Sequence, residues 1–298
     1  MRLAGFKMPD ETAIGEVALQ VADLERSVRF YSVPFGLEIL DRREGLAVLG
    51  TDQRPLLRLI EKPNARPKPH SATGLYHYAI LLPDRAALGR LLLNLIKYGV
   101  AIEGAADHLV SEAIYLRDPD GNGIEIYRDK PRAEWPMAGS EVRMANAPID
   151  FEGIVAAAGN EPWAGIALGT QIGHVHLQVS DLGRAERFYC DILGFNVMQR
   201  WRGALFVSAG GYHHHLGLNV WASLGGPPPP EDSAGLAYFE VRLPSAEALD
   251  QLKTVLSREG IEFAESQRDD GRPAIRLCDF DGIGLLLSAE VSRGTPSR

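Results

Sequence analysis

A chain that repeats itself can fold only as a multiple of one unit, and this sequence repeats. Glu16–Leu37 (EVALQVADLERSVRFYSVPFGL) matches His174–Phe195 (HVHLQVSDLGRAERFYCDILGF) at a constant offset of 158, with Leu19, Gln20, Val21, Asp23, Leu24, Arg29, Phe30, Tyr31 and Gly36 recurring. A second family of matches holds an offset of 161: GLYHYAILLPDRAAL from Gly74 parallels GLAYFEVRLPSAEAL from Gly235, and DPDGNGIEIY from Asp118 parallels DFDGIGLLLS from Asp279. Keeping register over such lengths implies duplication into four modules, at about 14–61, 74–128, 171–221 and 234–289.

Each module reads alike. An alternating strand such as His174–Val179 opens it, and Asp23 or Asp181 then caps an amphipathic helix. In module 2 Leu88, Leu91, Leu92, Leu95 and Ile96 fall at helical spacing until Gly99 stops the run. Two or three strands with Gly and Asp turns follow, giving βαβββ four times. The expected class is α+β, with the modules paired into two cupped, open-barrel sheets. Residues 1–130 hold modules 1 and 2, and 171–298 hold modules 3 and 4. The linker 131–170 is expected to carry a short helix near Asp150–Ala158, capped by Asn146 or Asp150, and the tail VSRGTPSR to be frayed.

Composition narrows the function. With 31 Lys plus Arg against 39 Asp plus Glu, a net charge of −8 and no basic cluster, neither nucleic acid nor an anionic membrane is an expected partner. No apolar run nears the roughly 18 residues of a membrane span. The opening MRLAGFKMPDETAIG does not read as a signal peptide, and two cysteines, Cys190 and Cys278, make no disulfide framework. A cytoplasmic protein acting on a small molecule is the expectation.

The stretch His108, Ile114-Tyr115, Asp118-Pro119, Gly121 and Glu125 resembles the signature of the type I extradiol ring-cleaving dioxygenases, in particular the catechol 2,3-dioxygenase branch of the vicinal-oxygen-chelate superfamily. One position departs: Ala106 stands where that signature usually has Gly, Asn, Thr or an aliphatic residue. The resemblance spans all four modules. It implies a metal in the cup of a module pair, held by His77, Glu125 and His174. His214, His108 and Tyr115 would then be the catalytic residues around it. Two imidazoles and one carboxylate form a facial triad that leaves three positions open on Fe(II), two for catechol and one for O2. Mn(II) suits the same ligands.

The module copies serve as controls for these side chains. His77 has Tyr238 as its twin, His108 has Asp269, Tyr115 has Arg276, Glu125 has Leu286 and His174 has Glu16, so the fold alone does not require them. His77 and His174 each stand seven residues before a helix-opening Asp, Asp84 and Asp181. His214, in Tyr212-His213-His214-His215, is expected on an alternating strand, facing away from His213 and His215. DPDGNG imitates the start of a calcium loop, but strand-like flanks favour a hairpin turn.

If modules 1 and 2 share a cup, Glu16 joins His77 and Glu125 while His174 is stranded. If 2 and 3 share it, all six candidates meet, and chemistry favours that pairing. The expected activity is Fe(II)-dependent cleavage of catechol or a substituted catechol with O2, giving a 2-hydroxymuconic-semialdehyde-type product, in a homo-oligomer. A glyoxalase-like isomerase would need a fourth protein ligand where module 3 offers Asn219. A bleomycin-resistance-type binding protein would need no triad at all.

Overall fold

A computed structural model describes residues 6–139 and 141–290. The tail VSRGTPSR, expected to be frayed, lies outside the described residues.

Module 1 comprises β1 (Ala13–Val21), α1 (Leu24–Ser32), β2 (Glu38–Arg43), β3 (Leu46–Thr51) and β4 (Arg54–Glu61). Module 2 follows with β5 (Gly74–Leu82), α2 (Arg85–Lys97), β6 (Ile102–Asp107), β7 (Ser111–Arg117) and β8 (Gly123–Asp129). The linker contributes the short pair β9 (Met137–Ala138) and β10 (Glu141–Val142), then α3 (Phe151–Ala157). Module 3 runs β11 (Gln171–Gln178), α4 (Leu182–Glu186) with a π-helical turn over Arg187–Ile192, β12 (Asn196–Trp201), β13 (Ala204–Ser208) and β14 (Leu216–Asn219). Module 4 closes with β15 (Gly235–Leu243), α5 (Ala246–Arg258), β16 (Ala264–Gln267), β17 (Pro273–Cys278) and β18 (Gly284–Ala289).

Local chemistry sets the boundaries. Asp23, Asp84 and Asp181 accept hydrogen bonds from the backbone N–H of Arg26, Ala87 and Arg184 at 2.9, 2.7 and 2.7 Å, satisfying donors that the first helical turn orphans. Ser245 does the same for α5, and Asp150 caps α3 through Gly153. In α2, Leu88, Leu91, Leu92 and Leu95 are buried. Ile96, expected on the same stripe, is 55% exposed because the helix is covered over only one narrow arc.

Two eight-stranded sheets result, with strand orders β12-β13-β14-β11-β5-β8-β7-β6 and β16-β17-β18-β15-β1-β4-β3-β2. The first joins modules 3 and 2 through the antiparallel pair β11 and β5, and the second joins 4 and 1 through β15 and β1. Within each module the opening strand lies parallel to the closing one, as β5 does to β8. That adjacency brings residues about fifty apart in sequence onto one sheet face. The repeated Tyr and Asp of the motifs are structural. Tyr31 of α1 donates to Asp118 Oδ2, and Tyr189 donates to Asp279 Oδ2, each at 2.9 Å. Asp118 Oδ1 also accepts from the backbone N–H of Asp120 and Asn122, and Asp120 pairs with Arg26, so DPDGNG is a tied hairpin turn between β7 and β8.

Candidate metal centre

Register places the three ligand candidates together. Ala79 pairs with Glu125 across β5 and β8, and with His174 across β5 and β11, so all three side chains meet where β5 runs between its neighbours. One nitrogen or oxygen from each of His77, Glu125 and His174 lies within 4.8 Å of the other two. Glu125 Oε2 is 3.1 Å from His77 Nε2 and 3.2 Å from His174 Nε2, and all three residues are buried.

Burial would raise the Glu125 pKa, but His174 and His77 outweigh it and hold the carboxyl well below the usual carboxylate range. Burial pushes the His174 pKa down, which keeps the imidazole neutral and its lone pair available. His77 Nε2 is sealed from solvent and makes no hydrogen bond despite its closeness to Glu125. A near approach off the hydrogen-bond line suits a shared cation better than a shared proton. The residues therefore fit a divalent ion of the nitrogen- and oxygen-liking kind.

A cavity of about 530 Å³ opens above this floor. His77, Glu125, His108, Tyr115 and His214 line it, while His174, 1% exposed, lies beneath with its ring centroid 4.1 Å from that of His214. Tyr115 faces the cavity because its neighbours Ile114 and Leu116 point into the core on the other face of β7. Its hydroxyl is 2.6 Å from His108 Nε2, and His108 Nδ1 is 2.9 Å from the Ala145 carbonyl. A carbonyl only accepts, so His108 carries its proton on Nδ1 and Tyr115 donates to Nε2, leaving the phenolic oxygen as an acceptor towards the cavity. Burial, then the Glu125 charge, push the Tyr115 pKa well up, so the phenol stays protonated.

The placement of His214 corrects one expectation. His213, His214 and His215 precede β14 in a bend, not in an alternating strand, and His213 Nδ1 lies 2.7 Å from His214 Nδ1. The cause is a length difference. The turns Asp52-Gln53 and Gly210-Gly211, all at positive φ, correspond at the offset of 158, yet Ala18 pairs with Arg58 in module 1 while His176 pairs with Gly217 in module 3. Module 3 thus carries one more residue between turn and strand, and the surplus bulges out at the histidines. The same register makes Gly217 the counterpart of Glu125, so Asn219 is not at that place; its Oδ1 accepts from the Trp221 N–H.

Sequence reasoning missed the opposite wall of the cavity. His176, two residues beyond His174 and hence on the same face of β11, is buried, and its Nε2 has no partner. Its ring stands among His77 (centroids 4.9 Å), Phe206 (5.6 Å), Tyr76 (5.1 Å) and Trp221 (5.4 Å). Strand alternation alone was signal enough for His176; the other three arrive through sheet pairing.

The second sheet holds the counterpart of this centre, filled by ion pairs. Glu16 replaces His174 and Tyr238 replaces His77. Glu16 Oε1 accepts from Tyr238 at 2.7 Å and pairs with Arg58 and Arg268 at 2.8 Å each. Burial alone would raise the Glu16 pKa, but the two guanidinium groups bring it down to about 2. Leu286 stands at the position of Glu125.

Comparison with known proteins agrees with this geometry. A catechol-2,3-dioxygenase of Bacillus subtilis (strain 168) is 47% identical over 264 residues, covering 87% of this chain and 92% of its own. A crystal structure from Bacillus subtilis subsp. subtilis str. 168 superposes with a TM-score of 0.67 at 13% identity, covering 95% of this chain and 86% of the other. Glyoxalase I from Zea mays superposes at 0.57 with 15% identity over 94% and 92% of the two chains. These two structures speak to the fold. The family model of the Glyoxalase/Bleomycin resistance protein/Dioxygenase superfamily matches residues 13–126 and 171–285, a span that takes in all four modules, and the chain is a member of that superfamily.

Proposed function

We propose that this protein is an Fe(II)-dependent extradiol dioxygenase that opens a catecholic ring beside its hydroxylated carbons with O2, yielding a 2-hydroxymuconic-semialdehyde-type product. The observation that carries the reading is the buried His77–Glu125–His174 cluster at the floor of a cavity walled by proton-handling residues. The 47% identical catechol-2,3-dioxygenase supports it. Mn(II) is compatible with the same donors. A cytoplasmic homo-oligomer belongs to the same reading, consistent with the free Cys190 and Cys278.

When bound, such an ion supplies the redox chemistry that joins catechol to O2. The chain supplies geometry and protons. Tyr115, held by His108, offers its oxygen to a catechol hydroxyl and fixes the diol's orientation. His214 takes a catechol proton and returns one to an oxygen at the carbon–carbon bond that opens, so that all four oxygens stay in the product; burial and its histidine neighbours push its pKa well below the ordinary value, favouring the neutral base. Phe206, Tyr76 and Trp221 hold the flat ring and keep bulk water from it.

An isomerase of the glyoxalase kind is disfavoured, because Gly217 leaves module 3 without a second carboxylate. The direct test is anaerobic loading with Fe(II), then addition of catechol and O2. The yellow ring-opened semialdehyde should appear with one O2 consumed per catechol. No product from any of several substituted catechols would end the proposal.

A further inference from the structure

One chain of buried and half-buried groups is not absorbed by the ligand set or by the Tyr115–His108 pair. Asp129, the last residue of β8, stands four positions beyond Glu125. Its Oδ2 accepts from the Tyr212 hydroxyl at 2.9 Å, and Tyr127 lies 2.8 Å from that same hydroxyl. Its Oδ1 is 2.9 Å from His213 Nε2, and His213 Nδ1 is 2.7 Å from His214 Nδ1. His213 is fully buried, its ring against Tyr212 (centroids 4.1 Å) and at the edge of Trp135 (5.2 Å).

The proton positions along this chain follow from donor and acceptor counting. A carboxylate only accepts, so His213 carries its proton on Nε2. With His213 as the neutral imidazole, Nε2–H leaves a lone pair on Nδ1, to which His214 donates from its own Nδ1. The other nitrogen of His214, Nε2, is then bare, and His214 lines the cavity. We infer that Asp129 and His213 are positioning residues that lock His214 in the tautomer whose Nε2 can take a proton. This rests on the reading of His214 as the group that handles the substrate proton. The logic is that of a hydrolase triad lengthened by one ring. The corresponding stretch of module 1, Arg54–Pro55–Leu56, has no histidine, and Asp129 has Glu290 as its twin, so the fold does not demand the arrangement.

The test labels the histidines of the full chain with 15N, loads the protein with Zn(II), which is diamagnetic, and records two-bond 1H–15N correlations; His214→Gln identifies the His214 signals. His214 should show a protonated Nδ1 and a bare Nε2. His213→Asn places an acceptor oxygen near the lost Nδ1, and should keep that pattern and kcat within about threefold. His213→Leu removes the acceptor and should mix the tautomers, with kcat falling about 10–100-fold while KM moves by less than about twofold, a smaller loss than when the orienting acid of a triad itself is neutralised. Asp129→Asn should act in the same direction. A wild-type His214 bearing its proton on Nε2, or a His213→Leu enzyme with unchanged kcat and unchanged tautomer, overturns the inference. The spectra need no turnover, so a failure of the ring-cleavage reading would leave this test standing.

Discussion

Gly173 precedes His174, and the Tyr127 hydroxyl occupies the space a side chain would need. A Cβ built there would sit 1.7 Å from that oxygen and 2.7 Å from Tyr127 Cζ, against an ordinary contact of 3.4–4 Å. Gly173→Ala therefore forces the Tyr127 ring away from β11 and breaks its hydrogen bond to Tyr212. Overpacking of this kind costs about 1–3 kcal/mol, and the lost hydrogen bond about 1 kcal/mol, so the substitution should destabilise by about 2–4 kcal/mol. Tyr127→Phe alone should cost about 1 kcal/mol, since Tyr212 keeps its bond to Asp129. Combined, the two changes should cost clearly less than their sum. The oxygen that clashes is gone and the hydrogen bond is lost only once, which leaves a favourable coupling of about 1 kcal/mol or more. Urea unfolding followed by circular dichroism, with the slope held constant across variants, reads each corner of the cycle. Additivity within about 0.3 kcal/mol would refute the steric argument.

Three other outcomes follow from the site and its counterpart. Glu125→Ala should lower Fe(II) or Mn(II) affinity at least about 100-fold in anaerobic calorimetry, because a charged ligand is lost rather than a supporting contact; retained affinity would remove Glu125 from the ligand set. Glu16 has a folded pKa of about 2 against 4.5 when free, so its stabilisation is complete above about pH 4.5 and drains away as pH falls towards 2. The acid-side loss of stability should be shallower in Glu16→Gln, and an identical slope between the two proteins would contradict the assignment. His176→Leu should leave stability unchanged or raise it in urea unfolding, because Nε2 is buried without a partner and the replacement removes a desolvation cost of about 1–3 kcal/mol; a clear loss of stability would show that the ring's packing outweighs that cost.

Most of the architecture was legible because duplication writes the same instructions twice. Helix caps at Asp23, Asp84 and Asp181 and the turns at Asp118 and Asp279 recur in register, and each is a local rule of hydrogen bonding that needs no tertiary context. Residues that differ between copies, such as His77 against Tyr238, stood out for the complementary reason. What escaped was set by pairing across the chain. The bend at His213-His214 arises from one surplus residue, which shows only as a slip of the repeat from 158 to 159 once the strand registers are compared. Asp129 carries no local signal of its role, since its meaning depends on a histidine 84 residues later. Ile96 lies outside the covered arc of α2 because periodicity gives a stripe its direction but not its width.

The strand pairing has a consequence for how the molecule is made. Modules 2 and 3 close on one another within modules 1 and 4, like an inner pair of brackets inside an outer pair. During synthesis the inner pair is complete while the C-terminal module is still unmade, so the proposed His–Glu–His site can assemble early. Strand β1 must meanwhile wait for β15, more than two hundred residues downstream, with one row of backbone N–H and C=O groups unpaired. The slow and aggregation-prone phase of folding should therefore belong to the sheet of modules 1 and 4, away from the proposed site.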